Sequence, residues 1–512
     1  MASFSALPLD VLGLVAIVTV FTYILYQRFF SPLARVPGPF LASITSFWIA
    51  HAYWRQDWHY RAISLHKQYG PVVRVGPDAV DVGDVDAIKI IYGMGLAPCS
   101  HGFELIEAIR DRIEILEREV GRGGGNLIGM TDEPLHKQRR RLVDPIYTLK
   151  SVRESEHLMN APITFFAEQM RRHSGTPVDI IEWTNVLAVD VFTAITYGKS
   201  YGLLEHGRDP EMLAFTEANW NPYFWAVMVP LLGRLVKIRQ RLLILAKVLL
   251  SGGKAPLPIL GWTTEQIENA LQSDESAGNA PTLSRKAIRI HRAHPKEFPR
   301  AALNDHMFEL VFAGFETCGA TIPKIIWRIA TTRDFQKRLQ TELDTLSKTD
   351  TLKGLLTYDQ LLELPYLSAC ISEGMRMDPI TGIALSRRVP PEGVRMNGYD
   401  LPGGTEIGIT PRVISYNEDL VEDPYRFSPD RWLDATKEQK ILWDRMDLMF
   451  SAGPTACTGK VMALAFIYKV IAAVFSNFDV TVIDKDKKIE EINIFPVKWR
   501  KVKMKLSPRK AE

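Results

Sequence analysis

The stretch Phe450-Ser451-Ala452-Gly453-Pro454-Thr455-Ala456-Cys457-Thr458-Gly459-Lys460 constrains this chain more than any other. It sets one cysteine between two glycines close to the C-terminus, and Val461 to Phe475, an apolar run nearly free of charge, follows at once. That run is too long for a strand and is rich in Ala, Leu, Ile and Val, which predicts a buried helix. Cys457 then lies just before a helix N-terminus, where unpaired N–H groups and a partial positive charge favour an anion. Such a place keeps sulfur as thiolate and makes it a metal ligand. Gly453 and Gly459 leave room for a flat group against the backbone. A lone cysteine is more often a small buried hydrophobe, so other stretches must decide between the two readings.

The chain has 512 residues and a net charge of +3, too small to imply a nucleic-acid partner. Its four cysteines, Cys99, Cys318, Cys370 and Cys457, form no CxxC pair and no zinc spacing, so neither disulfides nor a structural zinc site is expected. No linker separates independent cores, and no repeat of fixed period occurs. Val11 to Tyr26 carries no charge, and with its flanks it approaches the roughly 20 residues that span a bilayer. Its start lacks the basic residues of a cleaved signal peptide, and bulky Tyr26, Phe29 and Phe30 stand where small residues would mark cleavage. A retained anchor over residues 1–30 is therefore expected, with Arg28 and Arg35 setting the following side toward the cytosol. The proline-bearing segment 31–45 reads as a stiff, extended hinge, and 46–512 as one catalytic domain.

Within that domain, Tyr60 to Tyr69 reads as a short helix stopped by Gly70-Pro71, and Val72–Val75 and Ala79–Val82 as two strands around a turn. The glycine-rich run 121–125 lacks the GK[ST] ending of a phosphate loop. His136 and Arg140, four apart, share a helix face within a basic run that could equally be solvated. Ser251 to Arg300, rich in Gly, Pro, Ser, Lys and His, reads as a long surface excursion, partly disordered. Asn304 to Ala330 is a long helical pattern capped by Asn304 or Asp305, with Ala313-Gly314-Phe315-Glu316-Thr317 at its middle. Glycine there costs about 1 kcal/mol against alanine, and close approach of a ligand is one reason for it. The threonine hydroxyl can bond back to an earlier carbonyl and loosen the helix. A bent packing helix with one buried acid is the plainer reading. Glu373 and Arg376 are three apart on the next helix, a spacing that usually marks a weak surface pair.

Taken together and in this order, these stretches resemble the cytochrome P-450 superfamily, the haem-thiolate monooxygenases, from about Pro37 to the end. The likeness is greatest to microsomal fungal members of the kind that includes pisatin demethylase. The resemblance implies a mainly α fold with small β-sheets (α+β) behind an N-terminal transmembrane anchor helix, and haem b as cofactor. It implies Cys457 as axial iron ligand, with Phe450, Gly453 and Gly459 framing it. His136, Arg140 and Arg387 become haem propionate partners, with Arg388 the rival to Arg387. Glu316 relays protons, and Thr317 orients bound oxygen. Glu373, Arg376 and Arg431 form a buried structural triad. Thr455 departs from the family pattern, which has Arg or His there, so more of the grip on the propionates falls to Arg140 and Arg387. Asp430 replaces the usual Glu beside Arg431.

The resemblance further implies NADPH–cytochrome P-450 reductase and cytochrome b5 as partners in the endoplasmic reticulum membrane. The expected activity is hydroxylation of an apolar small molecule in fungal secondary metabolism or detoxification. The substrate walls would come from Leu96–Leu127, Met212–Val236 with Trp220, Phe224 and Trp225, Val311–Thr317 with Phe312 and Phe315, Ile380–Ser386, and Ile494-Phe495. Two alternatives remain: a member that rearranges or dehydrates its substrate without dioxygen, which often lacks the acid–threonine pair, and a non-catalytic haem-binding membrane protein.

Overall fold

A computed structural model describes residues 9–93, 127, 130, 133–208, 258–272, 282–346, 355–493 and 495–509. Helix α1 (Leu9–Leu25) runs on into a π turn at Tyr26–Phe30. The span Asp10–Phe30 buries none of its residues and is long and apolar enough to cross a membrane by length and composition; at its end the Gln27 backbone and side-chain oxygens accept from Arg74 at 2.9 and 2.8 Å. The segment after it is not a free extended hinge. Ala34 N–H donates to Ser31 O at 2.9 Å and Val36 N–H to Leu33 O at 3.1 Å, and Leu33 and Val36 are buried. Proline stiffens the segment as expected, but its apolar side chains fold it onto the sheet.

Helix α2 (Trp58–Tyr69) ends at Gly70, whose φ of +95° lies in the region glycine favours. Strands β1 (Val72–Arg74) and β2 (Ala79–Val82) pair antiparallel, as their sequence predicts. Helix α3 (Ala87–Gly93) follows, then α4 (Glu133–Val143), which carries His136 and Arg140. Strand β3 (Val178–Asp179) leads into α5 (Ile180–Tyr197), capped by the Asp179 carboxylate accepting from Ile181 N–H and closed by left-handed Gly198.

The region read from sequence as a surface excursion holds two helices, α6 (Pro258–Gln272) and α7 (Leu283–Ala293). Their buried Ile259, Leu260, Ile267, Leu283, Ala287 and Ile288 belong to the main core. Polar composition masked them because only one stripe of each helix is apolar. Helix α8 (Arg300–Ala330) starts earlier than its sequence suggests, after Pro299. Ala301, Ala302 and Leu303 already face inward, so Asn304 and Asp305 are buried helix residues rather than caps.

Helix α9 (Pro365–Met377) carries Glu373 and Arg376. Strands β4 (Arg387–Arg388), β5 (Val394–Met396), β6 (Tyr399–Leu401) and β7 (Glu406–Gly408) come next. β4 and β7 complete a four-stranded sheet in the order β1-β2-β7-β4, and β5 and β6 form a hairpin. Helix α10 (Lys460–Asn477) is buried along most of its length, which makes it a core helix although its composition would suit a membrane. Strands β8 (Phe478–Val482), β9 (Glu490–Asn493), β10 (Val497–Arg500) and β11 (Lys503–Pro508) close the chain, β9 with β10 and β3-β11-β8 as two further small sheets. The main core joins α5, α8, α9 and α10, and the sheet has its own core.

Candidate active site

Cys457 ends a tight loop whose backbone is fixed by Cys457 N–H donating to Phe450 O at 2.8 Å. Gly453 has φ +69°, and a Cβ on it would stand 1.8 Å from Tyr92 O, so this glycine lets the loop lie against α3. It does not line the cavity, and the sequence reading that it makes room for a flat group gives way to this packing reason. Gly459 does line the cavity, and a Cβ there would meet only the Cys457 sulfur, at 3.9 Å. Two residues after Cys457, Gly459 is the N-cap of α10.

A cavity of about 380 Å³ opens before the sulfur. Cys457, Phe450, Gly459, His136, Arg140, Arg387, Glu316 and Thr317 all line it, so the fold gathers residues more than 300 positions apart in sequence. Arg388 does not line it; its guanidinium donates to Gly404 O at 2.9 Å. Successive strand residues point to opposite faces, and that separates the two rivals.

Cys457 is accessible from the cavity yet lies deep in the protein. Desolvation is the largest effect on its thiol and raises its pKa, against the Gly459 N–H, Arg140 and Lys460, which favour the thiolate. A positive ion bound to the sulfur would reverse that balance. The Thr455 departure also has a local explanation. Arg387 donates to the Thr455 hydroxyl and, at 2.9 Å, to Ser386 O, while Arg140 donates to Pro454 O at 2.7 Å. Two guanidinium groups thus converge on one turn, Arg140 also pairing through Nε with the Asp144 carboxylate at 3.3 Å, and terminal N–H groups on neutral oxygens are ones an anionic carboxylate would take in preference.

On the α8 wall, Thr317 Oγ1 donates to Ala313 O at 2.8 Å, and Thr321 Oγ1 donates to Thr317 O at 2.8 Å. Both are the back-bonds the sequence suggests, and α8 stays α-helical through them. Gly314 borders the cavity, but its reason is packing: a Cβ would stand 2.5 Å from the Phe192 ring on α5. Gly319 does the same for Asn185, and Thr184 Oγ1 donates to Gly319 O at 3.0 Å. Glu316 is buried and pairs with Lys498 on β10.

Several lining residues escape sequence reasoning: Tyr147, Asp305, His306 and Glu309. Tyr147 Oη and His306 Nε2 are 2.9 Å apart, and Glu309 accepts from Leu127 N–H at 3.0 Å. Burial, then the charge of Arg139, lowers the His306 pKa to about 4. Asp305, His306 and Glu309 could have been suspected from polar residues recurring three to four apart on a helix with an apolar face. Of the expected substrate walls, Phe312, Ile380, Thr381, Ile383 to Ser386 and Phe495 line the cavity. Trp220, Phe224, Trp225, Ile494 and the 96–126 and 212–236 walls lie outside the described residues, as do Cys99 and the 121–125 glycine run.

The triad is assembled and fully enclosed. Glu373 is 0% exposed. Its Oε2 accepts from Arg376 Nε at 2.8 Å and Trp432 Nε1 at 2.9 Å. Its Oε1 accepts from an Arg376 terminal nitrogen at 2.9 Å, Ser428 N–H at 3.0 Å and Arg431 Nε at 3.0 Å. Arg376 also donates to Ser415 O and Pro424 O, and Arg431 to Glu422 O, Asp423 O and Arg426 O. The carboxylate therefore pins the meander that leads to the cysteine loop. Asp430 turns away to Arg338, at 2.5 Å.

The family model for "Cytochrome P450" matches residues 36–506. The chain belongs to the cytochrome P450 family. It is 28% identical over 480 residues to a "Cytochrome P450 monooxygenase" of Aspergillus terreus, covering 91% of this chain and 94% of that one. Cytochrome P450 monooxygenase gsfF of Penicillium aethiopicum is 26% identical over 513 residues, with 96% and 98% covered. Cytochrome P450 monooxygenase mpaDE' of Penicillium brevicompactum is 27% identical over 90% of this chain, which spans 54% of that longer protein. This cytochrome P450 is thus an oxidoreductase of the monooxygenase class with haem iron as its cofactor. The cavity fits that group: it offers one thiol beside a helix start, a glycine that leaves the sulfur open, and two arginines, Arg140 and Arg387, on its wall.

Proposed function

We propose that this cytochrome P450 binds haem b through Cys457 and inserts one oxygen atom from O2 into an apolar small molecule, with electrons supplied from NADPH by cytochrome P-450 reductase. The observation that carries the reading is that Cys457 and the acid–threonine pair Glu316 and Thr317, borne on different elements, line one cavity. Arg140, His136 and Arg387 would hold the propionates, and Phe450 and Gly459 would frame the ring. When bound, the haem would supply the redox chemistry that the side chains lack, and a thiolate ligand would favour O–O cleavage.

The side chains do the rest. Phe312, Ile380, Ile383 and Phe495 present an apolar wall that desolvates and orients the substrate. Thr317 offers a hydroxyl at the back-bonded turn of α8, and Glu316 brings an ionisable group to the same wall, so protons can be handed on at the Thr317 oxygen. Glu373, Arg376 and Arg431 act on folding and on the seating of the cysteine loop. The Asp10–Phe30 span supports single-pass attachment to the endoplasmic reticulum with the catalytic domain cytosolic, where the reductase and cytochrome b5 would dock. The mould origin of the relatives supports a role in secondary metabolism or detoxification. Glu316 and Thr317 favour a monooxygenase over an isomerase or dehydratase that dispenses with O2.

The test is a carbon monoxide difference spectrum of the dithionite-reduced protein. The thiolate band is expected in the wild type and lost in Cys457→Ala; its absence from the wild type overturns the reading. A Soret shift with candidate metabolites, and a product heavier by one oxygen atom in the presence of reductase and NADPH, then identify the substrate.

A further inference from the structure

Glu316 faces the cavity, but the residue it pairs with does not. Lys498 Nζ lies 2.5 Å from Glu316 Oε2, and both side chains are 4% exposed. Among the described residues, neither oxygen of Glu316 nor the Lys498 nitrogen makes a hydrogen bond of ordinary angle. The two are held by charge rather than by a hydrogen-bond network. Lys498 stands between buried Val497 and Trp499 on β10, a place that composition would fill with an apolar residue.

The strand that carries Lys498 is fixed to the same helix that carries Glu316. Lys324, on α8, donates to Val497 O at 2.6 Å. Trp499 packs edge-on to Trp327 at 5.4 Å, with the Arg328 guanidinium 5.7 Å from its ring. On its other side, Val497 N–H donates to Ile380 O at 2.7 Å, and Gly382 N–H donates to Phe495 O at 3.1 Å. A Cβ on Gly382 would stand 2.4 Å from Val497, so the strand is seated without slack. The ammonium is therefore delivered to Glu316 from a rigid support.

Replacing a buried ion pair by apolar residues is often neutral or stabilising, whereas removing one partner strands a charge. Stability alone thus gives little reason to keep Lys498 opposite Glu316. We propose that Lys498 is a positioning residue for the reaction: it holds the Glu316 carboxyl group fixed at the cavity wall, in place to exchange protons there. This rests on the monooxygenase reading above, with Glu316 as the proton-handling group. Lys498 itself does not line the cavity and touches no substrate.

The test uses the full-length haem-loaded protein and compares wild type, Lys498→Met, Lys498→Arg, Glu316→Gln and the double variant Lys498→Met/Glu316→Gln. Two readouts are independent of activity. Infrared difference spectra against Glu316→Gln should show the Glu316 carboxyl band moved in Lys498→Met and at its wild-type place in Lys498→Arg. Thermal melting should fall in Lys498→Met and recover in the double variant, because the second change removes the stranded charge. The functional readout is reductase-driven oxygen consumption from NADPH. It should drop about tenfold in Lys498→Met, less than the ~10²–10⁴-fold that a general acid–base group itself contributes, because Lys498 acts only through Glu316. Guaiacol oxidation driven by hydrogen peroxide, which already carries the two electrons and two protons, should stay within twofold.

Lys498→Arg should restore the melting temperature and the NADPH-driven rate. The inference is overturned if Lys498→Met leaves the Glu316 band in place and shows no coupling to Glu316→Gln in melting. It is also overturned if the NADPH-driven and peroxide-driven rates fall together. A wild type without the thiolate band sinks the haem reading instead, and the melting cycle then still reports on the ion pair alone.

Discussion

Changing Glu373 to Gln should cost about 3–5 kcal/mol of stability, as breaking a buried ion pair from one side does. The structure shows how. Glutamine keeps the shape but has one acceptor oxygen and one donor NH2. If that oxygen takes the side with three donors, Arg376, Ser428 and Arg431, the NH2 is turned against Arg376 Nε and Trp432 Nε1. Two hydrogen bonds become donor–donor contacts, and two buried guanidinium groups lose their shared counter-charge. The assay is urea unfolding of the haem-loaded protein, followed both by far-UV circular dichroism and by the Soret band, with Arg153→Ala as control. Arg153 also makes a two-pronged pair, to Asp359 at 2.8 Å on both oxygens, but at the exposed surface, and its loss should leave the midpoint where it was.

Acid adds a second leg to this prediction. Burial alone would raise the Glu373 pKa, but the hydrogen bonds and charge of Arg376, then Arg431 and Trp432, outweigh it and hold it below its ordinary 4.5. A carboxylate with a depressed folded pKa contributes stability that is full above the unfolded value and is lost as pH falls through the folded one. Wild type should lose this contribution below about pH 4.5, and the Gln variant should lack that part of the slope. A midpoint shift in Glu373→Gln no larger than that of the Arg153→Ala control would refute the reasoning, and would mean the triad is solvated in solution.

Four further outcomes follow from the geometry. Gly453→Ala puts a Cβ 1.8 Å from Tyr92 O at a φ of +69°, so it should yield little haem-loaded protein, whereas Gly261→Ala on α6, where a Cβ meets nothing within 4 Å, should load normally; Soret absorbance per protein measures both. Gly314→Ala forces the Phe192 ring to move and should cost about 1–3 kcal/mol, part of which Gly314→Ala/Phe192→Leu recovers in the same unfolding assay. The His306 pKa of about 4 lies below its ordinary 6.5, so the unfolded chain takes up the proton first and stability is lost as pH falls from 6.5 toward 4, by up to about 3 kcal/mol; His306→Gln should flatten that slope. Thr455→Val removes the hydroxyl that Arg387 holds, and should leave the thiolate band intact while changing the rate of haem loss to apomyoglobin.

The local pattern carried much of this protein. A long, nearly uncharged run after Cys457 meant a buried helix, short apolar runs on either side of Gly76-Pro77 meant two strands, and i, i+4 spacing put His136 and Arg140 on one face. These are consequences of the period of a helix or strand, which neighbouring residues suffice to express. The motifs in their order carried the family. The reasons for individual residues were settled elsewhere, by segments distant in sequence. Gly314 exists for Phe192 on α5, and Gly453 for the Tyr92 carbonyl on α3. Arg387 rather than Arg388 meets the cavity because β4 pairs with β7 in one register. Lys498 lies 182 positions from Glu316 and nothing local marks it as a partner. Periodicity tells a chain which side of each element is apolar; which charge ends opposite which is fixed only when those sides are pressed together, because pairing energies act through space and not along the backbone.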